Sequence, residues 1–544
     1  MTSASRSATA DHGSRRRAVD LLTAALLLTV LTRLVFILLP RVPIETKAVA
    51  SIGDSREYIA LARNLVSSHT FTRDTVPPFR PELFRTPGYP LLLAIPFLLT
   101  PPSSLLSSAH PSSFILLSLL LQLLLSLVTV WLTWRLAVEL ELGPVTSALA
   151  ALLVGLSPSL AFLSTKLISE TLFLPMLLAC MLLLNRYRLS GRALDLIGTG
   201  VCCGLLVLVR PIAIFFPFLI ALYILWLGTG KTGTVPRQAG AGDTSATRSS
   251  RRSGDVSPSR SSPVFPGLGS CLLFLVCASI VVAPWVIRNG TRTGRYIIST
   301  ASEHNIYLYD AATVLAAEKG ITIPQARDLM MAEAETKFGR IGTNDEATMW
   351  QKLAAVARPH FFRRPALAIP VWLFGVAADF LNPISVGPLL IHSGASPAAG
   401  SANLLQSSLA LLVKGKVTQA FTRAWQVRVG GAPLFILVVL ACATLFNLIL
   451  IWFGFASLFL RRSRGLFWLL LPILYFTLLT GTVGDARFRA PIEPFLCLFA
   501  AVALTRPPRS AAARPYEAQS DGIPDQDTGS CSIGLAAPES RGSA

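Results

Sequence analysis

Apolar residues in this chain gather into long runs, not into the short alternating segments of half-buried strands. Mostly apolar windows lie at 21–39, 112–137, 146–163, 170–185, 193–209, 211–228, 266–286, 432–460, 466–482 and 489–505. A spanning helix needs about 20 such residues, with about 17 as the low end. Each window is therefore predicted to be a helix that spans or nearly spans a bilayer. Residues 89–100 are too short and end in Thr100-Pro101-Pro102, and 366–391 contain Asp379 and Pro383. Interfacial or re-entrant placement suits both, although 366–391 and 402–413 can form an extra pair. The expected fold is an all-α polytopic membrane protein of about ten, and up to twelve, transmembrane helices.

The loops suggest a topology. Arg15-Arg16-Arg17 precede the first window, and Ala48-Val49-Ala50 resembles a signal-peptide cleavage site. The apolar run is longer than the ~7–15 residues of a signal core, and that site lies well past its end. A retained first helix is expected, in which Arg33 can snorkel to the interface. With a cytoplasmic N-terminus, the inner segments are Arg135–Thr146, Arg186–Arg192, Thr229–Ser262, Arg461–Arg464 and the C-terminal tail. Loop 229–262 has six basic residues against two acidic ones, and Arg186-Tyr187-Arg188 and Arg461-Arg462-Ser463-Arg464 are basic too, as the positive-inside rule asks. The organisation expected is a basic cytoplasmic tail at 1–20, a transmembrane domain at 21–505, and a solvated cytoplasmic tail at 506–544. Outer segments at 41–111 and 287–431 and a flexible cytoplasmic loop at 229–262 interrupt the domain. Multi-pass insertion in the plasma (inner) membrane follows as the expected location.

Composition agrees. Of 544 residues, 52% are hydrophobic and 14% charged, with mean hydropathy +0.58. Soluble proteins carry roughly 25% charged residues, so an ordinary soluble enzyme and a disordered chain are excluded. The net charge of +19 sits largely beside apolar runs, where it sets topology and does not signal a nucleic-acid partner. The eight cysteines include no CxxC pair and the six histidines are scattered, so neither a disulfide framework nor a zinc site is expected.

Polar residues concentrate on the outer side. Gly53-Asp54-Ser55-Arg56-Glu57-Tyr58 opens a stretch in which Tyr58, Leu61, Ala62 and Leu65 recur at helical spacing, predicting an interfacial amphipathic helix. Asp54 stands at its start, four residues before Tyr58; it either caps the helix or carries chemistry. Phe84-Arg85-Thr86-Pro87-Gly88-Tyr89-Pro90 fixes an irregular backbone at the membrane edge. There Arg85 can snorkel or meet a lipid headgroup. Glu170 opens an apolar helix, again as cap or reactant. Arg210-Pro211, Arg288-Asn289 and Arg487-Phe488-Arg489 end apolar stretches on the same side. Ionisable groups at membrane depth are costly and often functional. Guanidinium binds phosphate bidentately, so Arg85, Arg210, Arg288, Arg487 and Arg489, with Asp54 and Glu170, suit an anionic headgroup. The Asn289-Gly290-Thr291 sequon is assigned no role. In segment 287–431, Tyr296, His304, Asn305, Tyr307 and Tyr309 offer the aromatic faces and polar rims that either line a sugar pocket or pack a small loop domain.

In this order, Asp54…Tyr58, Arg85-Thr86-Pro87-Gly88-Tyr89-Pro90-Leu91-Leu92, Ser169-Glu170-Thr171-Leu172-Phe173, Pro284-Trp285…Arg288-Asn289 and Arg487-Phe488-Arg489…Pro491 resemble bacterial glycosyltransferases of the GT-C superfamily. The resemblance is to the ArnT-like, protein-mannosyltransferase-related group (family 39/83-like, RgtA/B/C/D-like), and runs from about 21 to 505. It implies a GT-C-type bundle and an inverting hexosyl or pentosyl transfer from a polyprenyl-phosphate sugar to a lipid, glycan or protein acceptor at the outer face. It implies catalysis by Asp54, seconded by Glu170, and donor phosphate contact by Arg85. Related proteins often have Asp-Glu where this chain has Asp54-Ser55. The chemistry is coherent on its own terms. A carboxylate accepts the acceptor's proton while arginines stabilise the departing lipid phosphate, with Tyr58 and Tyr89 supporting. A divalent cation can assist, but no metal ligand is assigned. The alternatives are a transporter or flippase of a lipid-linked saccharide, which would place ionisable residues near midplane, and a non-catalytic membrane scaffold.

Overall fold

The computed structural model describes residues 3–39, 42–50, 52–100, 112–228, 267–342, 345–393, 433–482 and 484–505, with a few isolated positions between 416 and 422. The expected loop at 229–262, the tail at 506–544 and the extra window at 402–413 lie outside them. Among the described residues all regular structure is helical. Among the described residues, six helices are long and apolar enough to cross a membrane: Val19–Leu38, Ser112–Glu139, Glu170–Ser190, Pro211–Gly228, Gly267–Thr293 and Leu434–Ser457. Glu346–Phe362 and Pro365–Leu381 add a seventh if their 98° bend is one broken span. The chain is an integral multi-pass membrane protein.

Every predicted window contains helix, but several are too short to count as full spans. Proline is the reason in three of them. Window 146–163 breaks into Pro144–Leu156 and Pro158–Leu163 at Ser157. The Ser157 hydroxyl caps the second piece by accepting from the Leu160 amide at 3.1 Å, and Pro158 takes the first helical position, where its missing N–H costs nothing. Helix Ala193–Val209 stops before Arg210-Pro211. A residue preceding proline is driven out of the helical region, and Arg210 accordingly has φ −142° and ψ 121°. The last window opens as a tight turn at Ala490–Ile492, with Pro491 inside, before helix Glu493–Leu504.

Close helix packing rests on small residues. Gly200 and Gly204, one turn apart on Ala193–Val209, face Gly267–Thr293. A Cβ at these positions would lie 2.7 Å from the Phe274 carbonyl oxygen and 2.6 Å from that of Ala278. With lipid on the outside there is no hydrophobic gain from pairing helices, so backbone-to-backbone approach supplies the attraction. Gly155 lets Pro144–Leu156 meet the first helix in the same way. Arg33 does not snorkel. It is 3% exposed, and its Nη1 donates to the Gly155 carbonyl at 2.6 Å, because the two helices bury it along their contact.

Part of the second large loop segment forms a small helical subdomain of its own. Ile306–Ala311, Ala312–Lys319, Ile323–Phe338 and Glu346–Phe362 surround Leu315, Ala326, Met330, Leu353 and Ala357. Thr322 and Gln325 close a reciprocal capping box at the start of Ile323–Phe338.

Gly204→Leu should push Ala193–Val209 off Gly267–Thr293 and cost about 1–3 kcal/mol. Thermal unfolding of the purified protein in nanodiscs measures this; an unchanged midpoint would mean that the close approach is not what holds the pair.

Candidate active site

Asp54 lies in the first turn of helix Gly53–Ser67, but it is not the cap: the cap position is Ile52, and no side chain fills it. Both Asp54 oxygens are instead engaged by arginines. Oδ1 accepts from Arg85 Nη2 at 2.6 Å, and Oδ2 from Arg487 Nη2 at 2.6 Å. Glu170 likewise opens helix Glu170–Ser190 without capping it. Its Oε1 accepts from Arg487 Nε and lies 3.2 Å from Arg210 Nη1. Five of the residues singled out in the sequence therefore converge: Asp54, Arg85, Glu170, Arg210 and Arg487.

Local backbone chemistry aims each arginine. Pro211 turns Arg210 out of its helix toward Glu170. Gly88 starts helix Gly88–Leu99 against the end of Ala193–Val209, where a Cβ would come within 2.8 Å of the Leu208 carbonyl oxygen and of Val209 Cγ2. Glycine there brings the Arg85 loop beside Arg210. Gly484 adopts φ +63°, which glycine alone does freely, and it leads into Asp485. The Asp485 carboxylate caps Ala486–Arg489 by accepting from the Arg487 amide at 2.9 Å. Asp379 holds that turn from the neighbouring helix, taking the Asp485 amide at 2.8 Å and the Thr480 hydroxyl at 3.0 Å. In the sequence Asp379 registers only as an interruption of an apolar run.

Tyr58 and Tyr89 form the floor. Their rings meet edge to face at 4.9 Å, and the Arg85 guanidinium sits 5.1 Å from the Tyr58 ring centre. Tyr58 donates to Ser169 Oγ at 3.2 Å, and Tyr89 accepts from Gln122 at 2.8 Å. The other two arginines are placed elsewhere. Arg288 donates to the carbonyls of Glu82 at 2.9 Å and Phe71 at 3.1 Å, so it braces the first loop. Arg489 is 2% exposed and donates to the carbonyls of Asp379, Phe380, Asn382 and Pro383, neutralising the end of helix Pro365–Leu381. Asn289 of the sequon is fully buried and donates to the Ile297 carbonyl. Of the aromatic candidates, His304 lies against Phe84 at 4.4 Å and Trp350 at 4.5 Å, while Tyr307 packs into the subdomain core.

Sequence reading passed over the continuation of the network. Glu57 binds Arg85 Nε at 2.6 Å and Arg73 Nη1 at 3.2 Å. Arg73 also reaches Glu82 and, at 2.8 Å, Glu346. Glu57 was findable, being three residues after Asp54 on the same helix face. Arg73 and Glu346 are 273 positions apart, and no local pattern joins them. The inner cluster of Asp54, Glu57 and Glu170 against Arg85, Arg210 and Arg487 is neutral overall. Burial alone would raise the Asp54 carboxyl, but Arg487 and Arg85 outweigh it and hold the group well below the usual carboxylate range. Glu82 goes the other way, raised by burial in spite of Arg73. Among the described residues no three His, Cys, Asp or Glu side chains are grouped to hold a metal ion.

Residues 113–237 match the family model described as dolichyl-phosphate-mannose-protein mannosyltransferase. This stretch holds Glu170 and Arg210. No curated protein matches the chain. Among solved structures it is similar to the archaeal oligosaccharyltransferase AglB from Archaeoglobus fulgidus in complex with an inhibitory peptide and a dolichol-phosphate. Identity is 12% and TM-score 0.46, over 89% of this chain and 50% of that one. The apo form of the Archaeoglobus fulgidus oligosaccharyltransferase gives 12% and 0.44 over the same shares. The chain thus spans about half the length of these structures.

Arg487→Ala would remove the arginine that Asp54 and Glu170 share, leaving Asp54 with Arg85 and Glu170 with Arg210. Breaking a buried pair costs about 3–5 kcal/mol, so a loss of that size is expected in unfolding experiments. The double variant Arg487→Ala with Glu170→Ala should recover part of it. Strict additivity of the two would show that they do not interact.

Proposed function

We propose that this protein is an inverting glycosyltransferase of the plasma membrane, with both termini cytoplasmic. It takes a hexosyl or pentosyl group from a polyprenyl-phosphate donor at the outer face and passes it to a hydroxyl of a lipid, glycan or protein acceptor. The observation that carries this reading is one carboxylate, Asp54, held at 2.6 Å from two guanidiniums that arrive from opposite ends of the sequence.

The arginines are the phosphate sites, and the resting protein fills them with its own acids. Because the inner cluster is neutral, a lipid phosphate brings surplus negative charge. It is accommodated when Arg85 and Arg487 turn from Asp54 to the phosphate oxygens, where bidentate contact is strong. Asp54 then regains basicity. The acceptor hydroxyl gives its proton to Asp54 while its oxygen attacks the anomeric carbon from the face opposite the phosphate. The carbon–oxygen bond to phosphate breaks, and polyprenyl phosphate leaves with the electron pair, its charge met by Arg85, Arg487 and Arg210. Glu170 holds Arg210 and Arg487 in place. Donor binding thus precedes proton transfer, which protects the donor from a permanently active base.

Reconstituted with a polyprenyl-phosphate sugar, Asp54→Asn should bind donor but turn it over about a hundredfold or more slowly. Equal consumption by wild type and Asp54→Asn would defeat the assignment, and labelled lipid crossing the bilayer without donor loss would favour a transporter. The wild-type pH profile carries a second test. The depressed Asp54 carboxyl stays ionised to low pH, so the acid limb of kcat/KM, which reports the free protein, should fall below about pH 4. The limb of kcat, which reports the donor complex, should lie at higher pH; coincident limbs would contradict the exchange of partners.

A further inference from the structure

Beyond the Asp54 cluster the structure holds a cleft of about 550 Å³. One wall is the first loop from Thr72 to Leu83, another the end of helix Gly267–Thr293 at Arg292 and Thr293, and the third the start of Glu346–Phe362. Arg73 is at its base, joined through Glu57 to Arg85 and so to Asp54. The volume is that of a pocket for a small organic ligand.

Its lining is unlike that of a lipid site. Charged side chains of both signs dominate, and most are already matched: Arg80 with Asp74 at 2.8 Å, Arg73 with Glu82 and Glu346, and Asp345 with Arg295 at 3.9 Å. An acyl chain would strand these groups without solvent. A charged peptide side chain lying among these pairs would have to break one, and no open strand edge among the described residues offers itself to a peptide backbone. Paired charges nonetheless keep spare hydrogen-bonding capacity, since a carboxylate has about four acceptor positions and a guanidinium five donors. Neutral hydroxyls can use that capacity and leave the pairs intact. Arg292, at the mouth, has no carboxylate partner among the described residues and is exposed, leaving its donors available.

We infer that this cleft is the acceptor subsite and that it takes a neutral saccharide, either a free glycan or the sugar end of a glycolipid. The inference rests on the transferase reading and narrows its acceptor. The acceptor's sugar lies across Arg292, Arg80 and the Asp74 and Glu346 carboxylates, and its reacting end extends past Arg73 toward Asp54. Arg73 is a positioning residue that ties the subdomain bearing Glu346 to the helix bearing Asp54.

Full-length protein in nanodiscs, presented to an array of neutral and acidic oligosaccharides, glycolipid vesicles, sugar-free vesicles and peptides, tests this. Neutral oligosaccharides are expected to bind, and glycolipid vesicles binding in their absence would carry the same chemistry from a membrane source. Thr293→Trp, which fills the cleft, should weaken that binding about tenfold or more, and the exposed change Arg292→Ala by less. Polyprenyl phosphate serves as the control, since it binds at the Asp54 cluster. Its retention shows that a variant is folded, and its failure to bind wild type would count against the transferase reading instead. Binding confined to peptides, sugar-free vesicles or acidic oligosaccharides, no saccharide bound at all, or saccharide binding untouched by Thr293→Trp would overturn the inference.

Discussion

The two ion pairs of Asp54 are the constraint on which the arrangement depends. A carboxylate in a largely closed site is tolerated only when positive charge meets it, and here Arg85 comes from 31 positions away and Arg487 from 433. Satisfying one side chain therefore requires the first loop and the last loop of the bundle to meet, with Glu170 and Arg210 between them. The same requirement gives the site its chemical character. Acids and arginines in equal number are at rest with each other, and an arriving phosphate can be held only by rearranging them.

What places these groups is main-chain chemistry more than side-chain reach. Pro211 ends a helix so that Arg210 faces Glu170, Gly88 allows two helix ends to touch beside Arg85, and Gly484 and Asp485 shape the turn that presents Arg487. Asp379 fixes that turn from a neighbouring helix. Arg288 and Arg489 are spent on the same task, tying down the first loop and the end of Pro365–Leu381 through main-chain carbonyls. The site thus rests on a frame in which Arg288, Arg489 and Asp379 bond to main-chain groups of neighbouring segments.

Much of this was legible in the sequence. Long apolar windows gave helices wherever they were expected, because spanning length is a strong one-dimensional signal. Asp54, Glu170 and the arginines stood out because charge at membrane depth is costly and these residues gather on one side of the windows. Several windows hold helices shorter than the window because a window's length ignores proline: Pro158, Pro211 and Pro491 each break or shorten a run. Arg33 was misplaced because the helix contact at Gly155 cannot be seen from one helix alone. Arg73 and Glu346 were invisible for a similar reason, since their meeting depends on where the helices around Leu315 and Met330 come to lie. Asp54 and Glu170 admitted a capping role by position; their hydrogen bonds to arginine, not to helix amides, show that neither caps.

The account turns on whether Arg85 and Arg487 exchange Asp54 for phosphate. The most direct measurement is an experimental structure of the full chain in a nanodisc with polyprenyl phosphate bound. The account expects the phosphate oxygens within about 3 Å of both guanidiniums and the Asp54 carboxylate released toward the sugar position. A phosphate bound elsewhere, with both Asp54 ion pairs intact, would contradict it.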